Sequence, residues 1–288
     1  MPDWLFEFPE KLYVDIKKPI DNAIDYMLKN WDPLFDAISN GLRSLLNVIG
    51  TFINWIPWWL LIVMVFIATY RMSKRISKAT LYSALLLVVG VIGLWDMMYE
   101  TLTIVITSVI ISLIIGLPIG VIISSSKRTN AIIRPVLDTM QTMPSFVYLI
   151  PAVMLLGLGN VPAVIATIIY AIPPVIRMTS HGIRQVDIEV VEASRSFGST
   201  RTQTLFKVQI PQALPTIMTG VNQTIMMAIS MVVTCSMIGA TGLGSEVLKG
   251  INRLESGRGF AAGIAIVIIA IILDRLTQGM LKKEEEDA

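Results

Sequence analysis

The chain has 288 residues, of which 54% are hydrophobic and only 15% charged, and this composition is too apolar for a soluble domain of that size. The formal net charge of +2, with no basic tract, argues against nucleic-acid binding. One cysteine and one histidine exclude an intramolecular disulfide framework and a Cys/His metal cluster. The sequence therefore predicts an all-α integral membrane protein that binds no metal of its own.

Residues 1–52 are expected to form an extracytoplasmic or interfacial segment. Residues 1–30 are rich in acids and lack the pattern of a cleavable signal peptide. In residues 33–52, apolar side chains recur every three or four positions, which predicts an amphipathic helix. Such a helix either lies on a membrane face or packs against the protein's own spans. The stripe consists of Leu34, Ile38, Leu42, Leu45, Ile49 and Phe52.

Seven apolar windows follow, each about the 20 residues that a hydrocarbon core of roughly 30 Å requires. The fourth window is interrupted by Thr142, Pro144 and Pro151. Such breaks are tolerated at membrane depth where protein or a wet cavity satisfies the freed backbone groups. The windows lie near residues 53–70, 80–97, 102–123, 136–157, 161–178, 214–239 and 259–276.

Basic residues in the short loops predict the orientation, because cytoplasmic loops carry an excess of lysine and arginine. The clusters follow alternate windows, so all of them fall on one side. With an odd number of spans, the N-terminus is expected outside and the C-terminus in the cytoplasm, where residues 281–288 form a solvated tail. The clusters are Arg71, Lys74, Arg75 and Lys78, then Lys127, Arg128 and Arg134, then Arg177 and Arg184, and finally Lys282 and Lys283.

A polar segment, residues 187–211, lies on this basic side between the fifth and sixth windows, and we call it the elbow. Asp187 is placed to cap a short helix that ends at Gly198. Ser199 or Thr200 can cap a second short helix, and Pro211 is expected to break the chain before it re-enters the membrane. This shape suits docking into another protein, although an ordinary solvated loop would have a similar composition.

The spacing within the elbow favours docking. Membrane subunits of bacterial ABC importers share the pattern E-A-A, three residues, G, nine residues, I-x-L-P. The elbow resembles this pattern with a serine for the second alanine, a valine for the isoleucine and an isoleucine for the leucine. The matching residues are Glu192, Ala193, Ser194, Gly198, Val208, Ile210 and Pro211.

The resemblance implies that the elbow seats in a cleft of a separate ATP-hydrolysing subunit and passes its closure to the spans. The chain itself has no G-x-x-x-x-G-K-[ST] loop, so it binds no nucleotide, and ATP and magnesium are expected on the partner. The family implies two ATPase copies, a second copy of this permease and an extracytoplasmic binding protein. It also implies a bacterial cytoplasmic (inner) membrane location.

Longer blocks, among them "LDTMQTMPSFVYLIPAVMLLGLGNVPAVIATIIYAIPPVIRMT" and "IGATGLGSEV", look like the permease of glycine betaine and proline betaine importers. The resemblance implies a type I ABC importer core over residues 98–280, with peripheral transmembrane helices over 53–97. It also implies import of compatible solutes for osmoprotection, without enzyme activity in this chain. Choline, carnitine or an amino acid is the alternative cargo. A secondary transporter or an osmotically gated channel is the alternative class, and it would need no ATPase.

Two further sets of residues are candidates for function. The interrupted fourth window is the candidate translocation path, and Glu246, in the glycine-rich outer segment, is the candidate contact for the binding protein unless Ser245 simply caps a helix there. Asp138 and Asp274 are expected to be ion pairs at the membrane edge. The path residues are Thr142, Met143, Pro144, Phe146 and Tyr148.

Overall fold

The computed structural model describes Tyr13 and residues 15–287, with side chains through Gly279, and this part of the chain is helical almost throughout. The remaining N-terminal residues of the predicted interfacial segment and the side chains of the predicted tail lie outside the described residues. The helices are α1 (Lys17–Trp55), α2 (Trp58–Ser73), α3 (Ile76–Val91), α4 (Trp95–Ser124), α5 (Lys127–Thr142), α6 (Ser145–Leu156), α7 (Asn160–Gln185), α8 (Ile188–Ser196), α9 (Arg201–Thr204), α10 (Ile210–Ser236), α11 (Leu243–Asn252) and α12 (Ser256–Asp287).

Helix α1 begins 16 residues earlier than residue 33, where the sequence pattern started, and it continues through Pro33. Its second half packs against α4 and α6, whereas much of the apolar surface of its first half is exposed. The predicted stripe is confirmed in part: Leu42 and Ile49 pack against the core, while Leu34, Ile38 and Phe52 are exposed. The fully buried residues of α1, Leu46 and Ile53, lie beside the stripe and were not predicted.

Helices α2 and α3 form a hairpin beside α12. The second window was predicted to run to residue 97, but α3 ends at Val91 and Trp95 already belongs to α4. Gly93 makes the turn with a positive φ of 82°, which glycine adopts without a steric penalty. Because the flanking residues are all apolar, hydropathy alone could not detect this turn.

The fourth window is a broken element. Helices α5 and α6 meet at Met143 and Pro144 at an angle of 96°, and α1 and α2 form a second bent pair at 87°. Four other helices, α4, α7, the continuous helix over Arg201–Ser236 and α12, are each long and apolar enough to cross a membrane. Helices α2 and α3 have 16 residues each and are therefore about 24 Å long. The count of seven spans stays a prediction.

The core consists of α4, α7 and α10, whose backbones approach closely at glycines. A Cβ at Gly116 would lie 2.5 Å from Val175 Cγ1, and one at Gly120 would lie 2.6 Å from Thr179 Cβ. Gly220 on α10 is equally tight against α7, with Met178 Cβ 2.7 Å from its hypothetical Cβ. Small residues let membrane helices pack by van der Waals contact where no hydrophobic driving force exists between them.

The end of α7 and α10 opposite the elbow is tied by hydrogen bonds. Asn160 Oδ1 accepts from the Thr241 backbone N–H at 2.9 Å, and the Gly159 N–H donates to the Ile238 carbonyl at 2.9 Å. Nearby, Thr101 Oγ1 on α4 accepts from the Leu243 N–H at 2.8 Å, at the start of α11. These bonds fix the short helix α11 across one end of the core, so the elbow and α11 mark opposite ends of the molecule.

Candidate functional site

The elbow projects from the core between α7 and α10, and its first half is the nine-residue helix α8. Asp187 Oδ1 accepts from the Glu189 N–H at 2.9 Å, as the sequence predicted for an N-cap. Of the apolar positions on this helix, Val191 is buried at 5% exposure, whereas Ile188 is 64% exposed. Because only one side chain of α8 is buried, packing contributes little to this helix. Its ends are therefore set by the hydrogen bonds of its capping residues.

Helix α8 ends in a Schellman motif centred on Gly198. The Ser199 N–H donates to the Ser194 carbonyl at 3.2 Å, and the Gly198 N–H donates to the Arg195 carbonyl at 2.9 Å. This pair of bonds requires a left-handed residue at the position after the cap, and Gly198 has a φ of 84°. The predicted stop at Gly198 is therefore confirmed, and its mechanism is a backbone conformation that side-chain-bearing residues adopt at a cost.

The second half of the elbow begins with a capping box. Thr200 Oγ1 accepts from the Gln203 N–H at 3.3 Å, and Gln203 Oε1 accepts from the Thr200 N–H at 2.8 Å. Of the two residues predicted as possible caps, Ser199 and Thr200, it is Thr200 that caps α9. Gln203 was missed, although a threonine followed three residues later by glutamine is the sequence signature of this motif.

Pro211 does not break the chain, contrary to the prediction. Residues Leu205–Gln209 form a π-helical segment in which the Ile210 N–H donates to the Leu205 carbonyl, five residues back. Pro211 then occupies the first turn of α10, which follows the π segment directly. The extra residue in the π segment realigns the helix, so the elbow passes into α10 without interruption.

The two halves of the elbow contact each other through small polar side chains. Ser194 Oγ and Thr204 Oγ1 are 3.3 Å apart, and Thr204 is 1% exposed. Ser194, which the sequence placed on the docking side, thus joins the two helices. Glu192 and Ala193 are exposed beside Ser194. Phe197 follows the last residue of α8 and is 92% exposed, so it does not pack against the helix. The outer surface of the elbow is therefore apolar at its corner and carries exposed charges of both signs beside it, among them Glu192 and Arg195.

The residues of the candidate path surround the break between α5 and α6. Met143 and Pro144 are extended, Thr142 Oγ1 donates to the Thr139 carbonyl at 3.0 Å, and Phe146 is 53% exposed. Tyr148 is buried, and its hydroxyl donates to the Met140 carbonyl at the end of α5, so it braces the bend. The role of this group as a solute path stays a prediction.

Glu246 lies in α11, where its side chain is 8% exposed. Its carboxylate accepts from Lys249 Nζ and from Arg258 Nε, each at 2.7 Å. The hydrogen bond from Lys249, which has the larger effect, and the one from Arg258 lower the pKa of Glu246 below its ordinary value. Ser245 does not cap α11, because its hydroxyl donates to the Gly242 carbonyl. Contact with a binding protein at Glu246 stays a prediction, and the two cations are the more exposed groups of this cluster.

Both aspartates that were predicted to form ion pairs are paired. Asp138 Oδ1 lies 2.5 Å from Arg177 Nη2, which joins α5 to α7. Asp274 Oδ2 lies 3.8 Å from Arg275 Nε, and Asp274 Oδ1 also accepts from Asn222 and from Gln278. Asp274 therefore joins α10 to α12 through hydrogen bonds more than through its ion pair.

This fold belongs to the permeases of ABC importers. A chain of the MetNI methionine ABC transporter, solved in inward-facing conformations, superimposes with a TM-score of 0.58 over 65% of this chain and 93% of that one, at 20% identity. The family described as binding-protein-dependent transport system inner membrane component matches residues 112–283. That range includes the elbow and the core helices α7 and α10.

Three relatives are similar over almost the whole chain. The glycine betaine transport system permease protein OpuAB of Bacillus subtilis is 47% identical over 92% of this chain and 94% of its own length. The glycine betaine/carnitine transport permease protein GbuB of Listeria monocytogenes is 46% identical over 93% and 96%. The glycine betaine/proline betaine transport system permease protein ProW of Escherichia coli is 45% identical over 94% and 76%.

The chain therefore belongs to the family of binding-protein-dependent inner membrane permeases, and within it to the permease subunits of glycine betaine/proline betaine ABC importers. The predicted resemblance to glycine betaine and proline betaine importer permeases is confirmed, and so is the predicted type I importer fold. Because the relatives are transport subunits and not enzymes, the prediction of a transport role is also confirmed. The family implies an ATPase and a substrate-binding protein as partners.

Proposed function

We propose that this chain forms the membrane path of an ATP-driven importer that carries glycine betaine or proline betaine into the cell for osmoprotection. The observation that carries the proposal is the 47% identity to a glycine betaine permease over 92% of the chain. A relative of that similarity and coverage shares both the core helices and the outer segment that would receive the solute.

The elbow supplies the connection to ATP hydrolysis in this proposal. Two copies of an ABC ATPase, which bind the ATP and magnesium, dock on the elbows of two permease copies. Two features of the elbow support this. Its ends are set by caps and its outer surface, with Phe197 and Phe206 exposed, is unpacked. Closure of the ATPases moves the elbows and, through the continuous helix that runs into α10, switches the spans between inward-open and outward-open states.

The orientation that fits this mechanism puts the elbow in the cytoplasm and α11 outside. The basic residues near the α2–α3 turn, the start of α5 and the elbow support it, because short cytoplasmic loops are enriched in lysine and arginine. With this orientation, the N-terminus is outside and the C-terminus is inside. The binding protein then delivers solute at the end of the core where Asn160 and Thr241 join α7 to the segment before α11.

Uptake by reconstituted vesicles tests the proposal. The permease, the ATPase and the binding protein are purified together, ATP is enclosed in the vesicles, and labelled glycine betaine is added outside with the binding protein. We expect accumulation that requires both ATP and the binding protein. Accumulation without ATP would contradict the proposal and favour a secondary transporter or a channel.

Carnitine is the second candidate cargo, since the relative from Listeria monocytogenes is named for both glycine betaine and carnitine. All three named solutes carry a quaternary ammonium group, which cannot donate a hydrogen bond and is held by aromatic faces. Competition in the same vesicles separates the candidates: excess carnitine that abolishes betaine uptake would extend the cargo range, and no competition would restrict it.

A further inference from the structure

A polar cavity of about 440 Å³ lies between α5 and α7, next to the elbow but outside its capped helices. The elements around it place it at the end of the spans that the proposed function puts in the cytoplasm. Its polar lining comes from one row of residues on each helix. These are Asn130 and Arg134 on α5, and Arg177, Ser180, His181 and Arg184 on α7.

The spacing explains why these side chains meet. Positions 177, 180, 181 and 184 are separated by three or four residues, so they occupy one face of α7. Asn130 and Arg134 are four residues apart and occupy one face of α5. The inner wall is apolar, with Leu137 and Ile176 buried behind the polar rows. The cavity thus has a basic mouth and an apolar back.

The charges around the cavity do not balance. Arg177 is paired with Asp138, but Arg134 and Arg184 have no acidic partner among the residues whose side chains the structure describes. Arginine is the residue that best matches the oxygens of a carboxylate or phosphate, because its donors form a fixed fork. Arg134 and Arg184 lie on facing helices at the exposed mouth of the same cavity, so both guanidinium groups can donate to one anion bound there.

Buried donors in the same cavity are also unsatisfied. Ser180 is 4% exposed, and its hydroxyl has no hydrogen-bond partner within the described part of the chain. The buried Nε of Arg177 likewise has none there. Buried polar groups normally have partners, and each exception calls for a ligand, a water or an ion. The Arg177 Nε can only donate a hydrogen bond and the Ser180 hydroxyl can donate one, so a single acceptor group can satisfy both.

We propose that this cavity is a binding site for a phosphate group, presented either by the headgroup of an anionic phospholipid or by a soluble phosphate. A phosphate offers several acceptor oxygens and negative charge in a compact tetrahedron, which matches two free guanidinium groups, one Nε donor and one hydroxyl. The betaine cargo of the proposed function also carries a carboxylate, but its quaternary ammonium group makes it neutral overall, whereas a phosphate is a net anion and therefore matches the two unpaired arginines better. The phosphate site rests on the proposed function only in one respect, namely that the proposed function places the cavity on the cytoplasmic side of the membrane.

Binding to the assembled importer in detergent tests the site without requiring transport. Inorganic phosphate is titrated calorimetrically, and labelled phosphatidylglycerol is compared with labelled phosphatidylcholine in mixed micelles. We expect the wild-type importer to bind phosphatidylglycerol, inorganic phosphate or both, and to bind phosphatidylcholine more weakly. Binding of phosphatidylglycerol alone assigns the phosphate to a lipid headgroup, and binding of both assigns it to any accessible phosphate.

Matched variants show whether the cavity is responsible. The double variant Arg134→Gln/Arg184→Gln is compared with Lys127→Gln/Arg128→Gln, which removes the same charge from the start of α5 outside the cavity. We expect the first to bind about tenfold more weakly or worse, the effect of losing one charged hydrogen bond, and the second to change binding less than about twofold. Equal losses in both would overturn the proposal, because they would indicate general surface attraction.

Ser180→Ala keeps the test decisive if the double variant fails to assemble. It removes only the buried hydroxyl and leaves every charge in place. We expect phosphate or phosphatidylglycerol binding to weaken about tenfold, the effect of one lost hydrogen bond to an ionised acceptor. Unchanged binding in Ser180→Ala, or a wild-type importer that binds neither probe, would overturn the proposal. Because binding is measured without uptake, an importer that binds phosphate but does not carry betaine would refute only the proposed cargo.

Discussion

The core and the elbow of this permease are specified in different ways. In the core, α4, α7 and α10 approach through glycines whose Cβ positions are already filled by a neighbouring helix. In the elbow, a single side chain of α8, Val191, is buried, and Asp187, Gly198 and Thr200 set the helix ends through hydrogen bonds to the backbone. Packing over a large area determines the first region. A few local bonds determine the ends of the short helices in the second, whose last residues pack on the core through Leu205 and Ile210.

This difference indicates which properties each region controls. Substitutions in the core act on the whole folded state, because interiors are closely packed and any added volume displaces two helices. Substitutions in the elbow act on a small unit that can lose its shape while the spans stay folded. A coupling element needs this independence, since it must bind a partner in a defined shape without depending on the state of the core.

The largest effect is expected in the core, at Gly120. In Gly120→Ala the new Cβ meets Thr179 Cβ at 2.6 Å and the Ile176 carbonyl at 2.9 Å, so α4 and α7 must separate. We expect a loss of about 1–3 kcal/mol in stability and a clearly lower Tm of the purified permease. Gly263→Ala on α12 is the control, because nothing lies within 4 Å of its Cβ position. Equal Tm values for the two variants would show that the tight crossing is not needed.

The next effect is expected at Gly198, and it should spare the core. Gly198→Val forces a β-branched residue to a φ of 84°, at a cost of about 1–2 kcal/mol within the elbow. We expect ATPase attachment to weaken by about tenfold while the Tm of the permease is unchanged. Gly198→Asn is the control, because asparagine tolerates this conformation better than other side chains. A large drop in Tm for Gly198→Val would mean that the elbow is part of the core's cooperative unit.

A smaller effect is expected at the capping box. Thr200→Ala removes the acceptor for the Gln203 N–H, and N-cap losses of this type cost about 1 kcal/mol. We expect ATPase attachment to weaken about fivefold, measured by co-purification of the two subunits. Thr202→Ala changes an exposed neighbour that caps nothing and should leave attachment unaltered. The same loss in both variants would indicate that side-chain contacts, and not the cap, are responsible.

The smallest effect is expected at the opposite end, at Glu246. Because Lys249 and Arg258 lower its pKa, the folded state favours the ionised carboxylate, and the stabilisation is present at neutral pH. Glu246→Gln leaves two partly exposed cations that water can solvate, so we expect a loss below about 1 kcal/mol. The Tm difference from wild type should shrink as the pH falls below 4.5, the ordinary value for this group. A difference that grew at low pH would contradict the pairing.

The sequence predicted those features of the elbow and core that depend on neighbouring residues. A helix cap is decided within about four residues, so Asp187, Gly198 and Thr200 could be recognised directly. The break in the fourth span was indicated by Pro144 for the same reason. The resemblance to importer permeases, based on the spacing of Glu192, Gly198 and Pro211, supplied the fold that local rules do not determine.

Features that depend on distant residues could not be predicted. The passage of the chain through Pro211 requires a π segment, and nothing local distinguishes it from a helix end. The buried face of α1 is decided by where α4 and α6 lie, which is why Leu46 and Ile53 were missed. The cavity between α5 and α7 unites residues about 40–50 positions apart in sequence, so only the fold brings Arg134 and Arg184 together.

The central claim is that the elbow, and not a lipid-facing surface, holds the ATPase. A photoreactive amino acid in place of Phe197 tests this most directly, because that side chain is 92% exposed at the corner of the elbow. Phe260, which is 76% exposed near the start of α12, is the matched control. The account predicts that illumination of the assembled importer cross-links the ATPase to position 197 and not to position 260. An ATPase cross-link at position 260, or none at position 197, would contradict it.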